Sequence, residues 1–464
     1  MNDINRHLSE SEILSIAEGC VHKTFGELGL TEINKSNKGG LGGYVEENVF
    51  HYSCNSDDNP DFIDAGIELK VTPVKRNQDG SYSSKERLVL NMLNYVDEVD
   101  KTFETSSFYR KNKRLLIMFY LWSKGVSAAD FEITNFNIFE FEKSSQYQVI
   151  KRDWEIIHKK IENGKAHEIS ESDTTFLTAC TKGANSSILT TQPNSIIKAK
   201  PRAYAFKSGF MTRIYRQLIH DISPYVSFIS EDERTKNPLE EIYKEKLFKF
   251  RGMSLDLLKS KFHIKGNPKD ITFRVAQKML GLTGNQSATQ EMIDAGIKLK
   301  TIRLSPNGTP KESMSFPYFD FTELLNKSWE ESDIREDFVD WKFMFFIFQI
   351  DSKGVCSFDR VEFWNIPNSI VDNEIKSMYE TCCKLVRDGN VIRNILPNGK
   401  VQDNFPKETE SRGGNGVCHV RPHGQNSKDT FKLPVPDCLT GKTEYTKQCF
   451  WFNKMFIKKI LEDL

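Results

Sequence analysis

The chain contains one nine-residue segment twice. Residues 62–70 read Phe-Ile-Asp-Ala-Gly-Ile-Glu-Leu-Lys, and residues 292–300 read Met-Ile-Asp-Ala-Gly-Ile-Lys-Leu-Lys. A repeat spaced about 230 residues apart in a chain of 464 means two related halves built on one plan. The length fits two or three domains. Residues shared by both copies are expected to serve the fold. The difference, Glu68 in the first copy against Lys298 in the second, marks where chemistry was kept or lost.

Other segments recur in the same order. Lys311-Glu312-Ser313-Met314 echoes Lys85-Glu86-Arg87-Leu88. Lys342 to Ile350, closed by Asp351-Ser352-Lys353-Gly354, echoes Arg114 to Leu121, closed by Trp122-Ser123-Lys124-Gly125. Lys182-Gly183-Ala184-Asn185-Ser186 has a late counterpart in His423-Gly424-Gln425-Asn426-Ser427. Between the halves, the polar span Ser223 to Asn237 with its two prolines is the linker candidate. The expected domains are therefore 1–225 and 238–464, joined by a linker at 226–237.

Local patterns give a coarse element map. Ser9 and Glu12 form a capping box, and apolar residues at helical spacing run from Ile13 to Leu28, with Gly29 able to end the helix. Leu41 to Phe50 reads as a short helix carrying Glu46 and Glu47. Gly66 to Val74 and Arg87 to Leu93 read as strands, and the apolar run Arg114 to Trp122 suits a strand buried on both faces. In the second half, Met253 to Phe262 and Lys269 to Leu280 read as helices, and Ile293 to Leu304 as the strand unit.

Asp61, Glu68 and Lys70 make a D-x6-E-x-K pattern on the first of these strands. Side chains alternate along a strand, so Glu68 and Lys70 share a face while Ile67 and Leu69 face the core. Two carboxylates and an ammonium converge if Asp61 reaches the same edge. Hard oxygen ligands suit Mg²⁺, which activates water and offsets charge on a phosphoryl group. The set fits phosphodiester hydrolysis. A bare pattern of three residues is weak, and an exposed strand face with a surface ion pair explains it equally well without context. The context is the strand itself, Glu46 on the preceding helix, and the repeat. In the second copy Glu291 stands for Asp61 and Lys298 for Glu68. That copy is expected to bind phosphate through Lys298 and Lys300 and to have lost catalysis.

Net charge is zero, with 64 basic and 64 acidic residues, so the chain as a whole carries no polyanion signature. Locally it does. No Asp or Glu occurs from Thr174 to His220, a window holding Lys182, Lys198, Lys200, Arg202, Lys207, Arg213 and Arg216. A short basic run is ordinarily a solvated face, but 47 acid-free residues leave room for a phosphate backbone. The nine Cys are unpatterned, which reads as reduced thiols, and Cys418, His419 and His423 lack the second ligand pair of a zinc site. No apolar leader or run of 18 apolar residues occurs, so a cytoplasmic protein is expected.

These residues resemble a known family. Lys38-Gly39-Gly40-Leu41-Gly42 through Glu46, then Asp61-Phe62, Gly66-Ile67-Glu68-Leu69-Lys70 and Pro73, are similar to the MutH-type mismatch-repair endonucleases. So are Glu104-Thr105-Ser106 with Lys111, Lys113 and Arg114, and Lys182 to Ser186 with Pro201-Arg202. The two-half layout, Ser83 to Asn91 and Cys418 to His423 resemble more closely the Sau-type restriction endonucleases that cut GATC. The resemblance implies an α/β fold of two PD-(D/E)xK domains in tandem, each a mixed β-sheet flanked by helices, the second degenerate. It implies Mg²⁺-dependent double-strand cleavage of DNA at GATC, with a possible DNA-induced homodimer and the second domain acting as an allosteric effector. It assigns Asp61 and Glu68 to the metal, Lys70 to catalysis, and Glu46 and Lys111 as partners. DNA contacts are expected from Lys182, Asn185, Lys200, Arg202, Lys207, Lys298, Lys300, Arg421 and His423.

There are departures. Cys180-Thr181 stand where the mismatch-repair enzymes have Arg-Pro, and Ala205 stands where they place a Tyr near the adenine, so tolerance of adenine methylation is expected. A methyl-directed repair nickase and a catalytically silent DNA-binding protein are the competing readings.

Overall fold

The structure, a computed structural model, describes residues 3–31, 40–54, 58–77, 79–182, 188–221, 225–284 and 286–464. It divides into two compact units. Unit 1 holds Met1–Leu239 and Thr289–Ile297, and unit 2 holds Glu240–Ala288 and Lys298–Leu464. Both are mixed α/β, with several sheets flanked by helices.

In unit 1 the strands are β1 (Glu68–Arg76), β2 (Tyr82–Ser84), β3 (Leu88–Leu93), β4 (Arg114–Leu121), β5 (Glu132–Glu140), β6 (Leu177–Thr181) and β7 (Arg202–Phe206). One sheet has the order β2-β1-β4-β5 and the other β3-β7-β6. β1 and β4 run parallel, with Glu68 opposite Leu115 and Lys70 opposite Ile117. From Leu115 to Phe119 β4 is fully buried, as its continuous apolar run requires. Its two faces serve different cores. Leu115, Ile117 and Phe119 pack with the amphipathic helix Tyr147–Glu162, while Leu116 and Met118 pack with Ile13, Phe25 and Phe62.

In unit 2 the strands are β8 (Ile297–Leu304, whose first residue belongs to unit 1), β9 (Met314–Phe319), β10 (Lys342–Ile350), β11 (Cys356–Asn365), β12 (Ile392–Ile395), β13 (Val401–Asp403), β14 (Cys418–Pro422), β15 (Thr430–Lys432), β16 (Glu444–Thr446) and β17 (Gln448–Phe452). The sheets are β11-β10-β8 and β14-β17-β9, with hairpins β12-β13 and β15-β16. Apart from β2, which has no counterpart in the three-stranded sheet of unit 2, the orders match those of unit 1. β1-β4-β5 corresponds to β8-β10-β11, and β3-β7-β6 to β9-β17-β14. The repeat visible in nine residues therefore extends through two three-stranded sheets. The glycine that opens each repeated strand is left-handed in both copies, with φ of 63° at Gly66 and 71° at Gly296, where a side chain would be strained.

Three expectations change. The first helix is Glu10–Glu18, with the capping box formed as read, and it stops at Gly19 instead of continuing to Leu28. The segment before β8 is not strand: Gln290–Ala295 is a helix capped by Thr289. Residues 226–237, expected as a linker, carry the helix Glu231–Lys236. Its Arg234 is buried in unit 1 against Glu291 at 3.2 Å. Polar composition misled there, because the polar groups are capping and ion-pair partners instead of solvent-facing ones. No helix among the described residues is long and apolar enough to cross a membrane.

Candidate active site

The spacing between Asp61 and Glu68 is closed by the backbone. Phe62 and Ile67 exchange amide–carbonyl bonds at 2.9 and 3.2 Å, which folds the chain back on itself just before β1. Asp61 is thereby brought beside the strand it precedes. The Leu69 amide donates to Asp61 Oδ2 at 2.9 Å, and the Asp61 amide donates to Glu68 Oε2 at 3.1 Å. Behind them, buried Arg6 donates to the carbonyls of Asp61 and Pro60 at 3.1 and 3.2 Å. Ile67 and Leu69 pack in the core, and Glu68 and Lys70 share the other face.

Glu68 is 2 % exposed and is met by two lysines. Lys70 Nζ donates to Oε1 at 2.7 Å, and Lys111 Nζ lies 3.8 Å from the same oxygen. Lys111 comes from the helix Ser107–Asn112, capped by Ser106, which leads into β4; Lys113 is exposed. Burial pushes the Glu68 carboxyl up to about 7. Lys70 and Lys111 pull against that, and Asp61 adds to it. For Lys70 burial works downward, but the carboxylates of Glu68, Asp61 and Glu46 outweigh it and its pKa stands above the ordinary lysine value. Glu46 sits in the π-helical turn Val45–Val49. Burial raises its carboxyl, the Cys54 thiol lowers it by a hydrogen bond, and the charges of Asp61 and Lys70 both reach it. The five residues named from the sequence, Asp61, Glu68, Lys70, Glu46 and Lys111, are one electrostatic cluster.

Sequence reading missed Tyr52. Its amide donates to the Glu46 carbonyl at 3.0 Å, and its ring meets Phe62 edge-on at 5.6 Å. Its hydroxyl is buried with no hydrogen-bond partner among the described residues. Burial, and then the charges of Asp61, Glu46 and Glu68, raise its pKa above the ordinary tyrosine value. A buried donor without an acceptor is costly, about 1–3 kcal/mol, and this one lies against a carboxylate set. No motif signals it, since its role depends on how the Glu46 turn meets Phe62.

The donor set fits a hard cation that retains several waters, because such ions take one or two carboxylates and oxygen ligands. Asp61 and Glu68 supply the carboxylates, with Glu46 near. Among the described residues no group of three or more His, Cys, Asp or Glu is arranged to hold a metal, so a closed zinc-type cage is not present there.

The residues read as DNA contacts separate into two groups. Lys182, at the end of β6, is exposed and Lys200 half-buried. Asn185 lies outside the described residues. Arg202 and Lys207 are corrections: Arg202 is 1 % exposed and donates to the carbonyls of Ala179 and Ile169, and Lys207 is 5 % exposed and donates to those of Thr174 and Ala295. Both tie backbone together. The acid-free window therefore aims only part of its charge outward, and Arg213 and Arg216 also turn in, toward Asp294 and the Tyr82 carbonyl. Ala205 is buried in β7.

In unit 2, Lys298 is exposed with its ammonium 5.0 Å from the Trp341 ring centre. Lys300 donates to the Ser315 carbonyl at 2.5 Å and lies 5.1 Å from the Phe316 ring. Burial brings the Lys300 ammonium down to about 8, and the Lys298 charge pushes the same way. Arg421 stacks over Trp451 at 4.4 Å, and His423 meets the same ring at 5.4 Å. The counterparts of Asp61 and Asp64 do other work. Glu291 is buried and accepts from Ser227, from the Phe228 and Ile229 amides and from Arg234. Asp294, fully buried, pairs with Arg213 at 2.9 Å and Arg234 at 3.7 Å, whereas Asp64 is exposed and meets His7 at 2.9 Å. Identity at that position does not mean an identical role.

A buried glutamate with a lysine two residues on, an aspartate folded back onto the same strand, and a second lysine from the next element make up the cluster. Comparisons with known proteins make this specific. The family model described as DNA mismatch repair enzyme MutH matches residues 50–153 and 280–346. The Type II restriction enzyme Sau3AI of Staphylococcus aureus is 35% identical over 490 aligned residues, covering 99% of each chain. The DNA mismatch repair proteins MutH of Vibrio campbellii and Histophilus somni strain 2336 are each 28% identical, over 44% and 46% of this chain and 92% and 96% of their own. The chain belongs to the family of the staphylococcal type II restriction enzyme, and it is a site-specific deoxyribonuclease.

Proposed function

We propose that the protein cuts both strands of DNA at GATC with Mg²⁺, and that Asp61, Glu68 and Lys70 carry the chemistry. The observation that carries this reading is the closure of Asp61 onto Glu68 and Lys70 at the start of β1, with Lys111 completing the set. Asp61 and Glu68 would hold the cation. Bound there, Mg²⁺ supplies an acidified water and offsets charge on the phosphoryl oxygens. Lys70, 2.7 Å from Glu68, orients the attacking water or neutralises charge growing on the phosphate. Lys111 gives the Glu68 carboxylate a second cation. Glu46 adds a third carboxylate at the cluster's edge. Lys182, exposed, and Lys200, half-buried, are the unit 1 cations assigned to the duplex.

In this reading the second half is a degenerate PD-(D/E)xK domain that binds DNA and serves the first as an effector, with two chains meeting on DNA. The matching strand orders support it, as does the family match over 280–346. Lys298, Lys300, Arg421 and His423 are its contacts. Arg421-Pro422-His423 end β14 where Cys180-Thr181-Lys182 end β6, so the second copy holds the Arg-Pro that the first lacks. Digestion of GATC-bearing plasmid by the protein alone with Mg²⁺ tests the activity. Linear fragments are expected. Nicked circles that require added proteins would favour the repair reading, and uncut DNA would overturn both.

A further inference from the structure

Unit 1 carries a loop whose frame is fixed and whose tip is apolar. Thr190 and Ala199 exchange amide–carbonyl bonds at 2.8 and 2.9 Å, closing the segment between them. Inside it, Gln192 is 6 % exposed. Its Oε1 accepts from the Ala166 amide at 2.7 Å, and its Nε2 donates to the Ile197 carbonyl at 2.5 Å. Pro193 fixes one φ. Asn194 adopts φ 56° and donates to the Glu162 carbonyl at 2.8 Å, at the end of the helix Tyr147–Glu162. These bonds hold the loop to the body of unit 1.

What the frame presents is unusual. Ile196 is 101% exposed and Ile197 52%, with Ile188 at 42% and Leu189 at 48% on the adjoining arm. A single exposed aliphatic needs no explanation, but a group of them on one anchored loop does. The hydrogen-bonded frame keeps them from folding back. The charge the segment itself carries is basic. Lys198 is exposed and Lys200 half-buried, Lys182 stands exposed at the end of β6, and no carboxylate lies between Thr174 and His220. An apolar tip on a segment whose own charges are all cations fits a polyanion with apolar surface inside it. Duplex DNA is that partner: phosphates line its grooves, and its stacked bases accept aliphatic wedges.

We propose that Ile196 and Ile197 form a wedge that enters the bound duplex and presses between neighbouring base pairs, with Lys198 and Lys200 on the flanking phosphates. This rests on the DNA-cutting reading and adds to it. Unstacking a base step is offset by removing two isoleucines from water. The wedge kinks the duplex at that step.

The test uses the full-length chain carrying Glu68→Ala, so that DNA is bound and not cut, and GATC duplexes with 2-aminopurine placed at successive positions in and beside the site. A rise in fluorescence is expected at one step on binding. Ile196→Ala with Ile197→Ala should abolish the rise and weaken binding about tenfold. Ile196→Lys with Ile197→Lys discriminates further. A tip lying on the phosphates would bind more tightly with added lysines, and that result overturns the wedge. So does tight wild-type-like binding with no fluorescence change at any step. Sedimentation without DNA covers the other occupant: a dimer that the alanine pair converts to monomer would make the tip a chain–chain interface and overturn the proposal. Both residues are exposed, so thermal unfolding of the variants should match the parent. Cleavage of GATC plasmid by the unmutated protein is scored separately, so loss of the enzyme reading is told apart from loss of the wedge.

Discussion

In the first half, β1 carries Glu68 and Lys70 on one face, and Asp61 folds back to join them. In the second, β8 carries Lys298 and Lys300 at the same two places, while Glu291 and Asp294 are held in ion pairs with Arg234 and Arg213. Three strands around each, β1-β4-β5 and β8-β10-β11, follow the same order. One backbone plan thus supports a site with carboxylates and one with cations, and the matched lysines behave in opposite ways. Lys70 is held charged by the acids beside it, and Lys300 is lowered to about 8 by burial with Lys298 adding to the effect. The comparison teaches that the fold fixes where side chains meet, and a single substitution at the centre decides what they can do there.

The sharpest way to break the comparison is to make the first site resemble the second. Glu68→Lys should reduce plasmid cleavage at least about a thousandfold, since it removes a charge worth several kcal/mol of transition-state stabilisation. DNA binding in a gel shift should persist or strengthen. Glu68→Gln and Asp61→Ala should lose cleavage in the same way. Undiminished cutting by any of the three would end the assignment of this cluster.

Next in size is stability. Arg213→Ala leaves buried Asp294 short of its nearest cation, and breaking such a pair lowers stability by about 3 kcal/mol. Denaturant unfolding of the full chain reads this, with Lys236→Ala at an exposed pair as the unaffected control. Equal stability of the two variants would show that the second copy's acids do not brace unit 1. A fragment starting at residue 238 would lack both arginines, so the same pairs predict that it is less stable than the whole.

Smaller, and directed at the effector reading, is the count of sites. In the proposed reading one chain brings one catalytic set, Asp61, Glu68 and Lys70, so double-strand cutting needs two chains or two successive nicks. Plasmids with two GATC sites should be cut several-fold faster than those with one, and a short GATC duplex added in trans should rescue the slower substrate. Equal rates would reduce the second half to a structural support.

The smallest effect is on pH. Because the folded Lys300 pKa lies below the ordinary lysine value, the ammonium is present below about 8 and lost as pH rises through it. Between about 8 and that ordinary value the unfolded chain binds more protons, so the destabilisation from burying this charge is full below the window and relieved across it. DNA affinity of the Glu68→Ala protein should therefore fall from pH 7 to 9, and Lys300→Met should flatten that fall. An identical pH profile in both proteins would remove Lys300 from the contact set.

Much of this was legible in the chain. A nine-residue repeat, strand alternation and one spacing gave Asp61, Glu68 and Lys70, because a strand's period dictates which residues share a face. Glu46 stood out as the carboxylate on the preceding helix, and family resemblance added Lys111. The apolar run of β4 announced a buried strand, and Ser9 with Glu12 announced a helix start, since both are local signals. What the sequence by itself determined is the plan: two halves, with Glu68 of the first replaced by Lys298 in the second. Tertiary structure decided the rest. Arg202 and Lys207 look like phosphate contacts until they are seen buried on the carbonyls of Ala179, Ile169, Thr174 and Ala295. Tyr52 joins the cluster only because the Glu46 turn packs on Phe62. Asp294 and Asp64 share a letter and a motif, yet one is buried between arginines and the other is in solvent. Burial, and the partners burial brings, arise from contacts between residues far apart in the chain, and no local pattern encodes them.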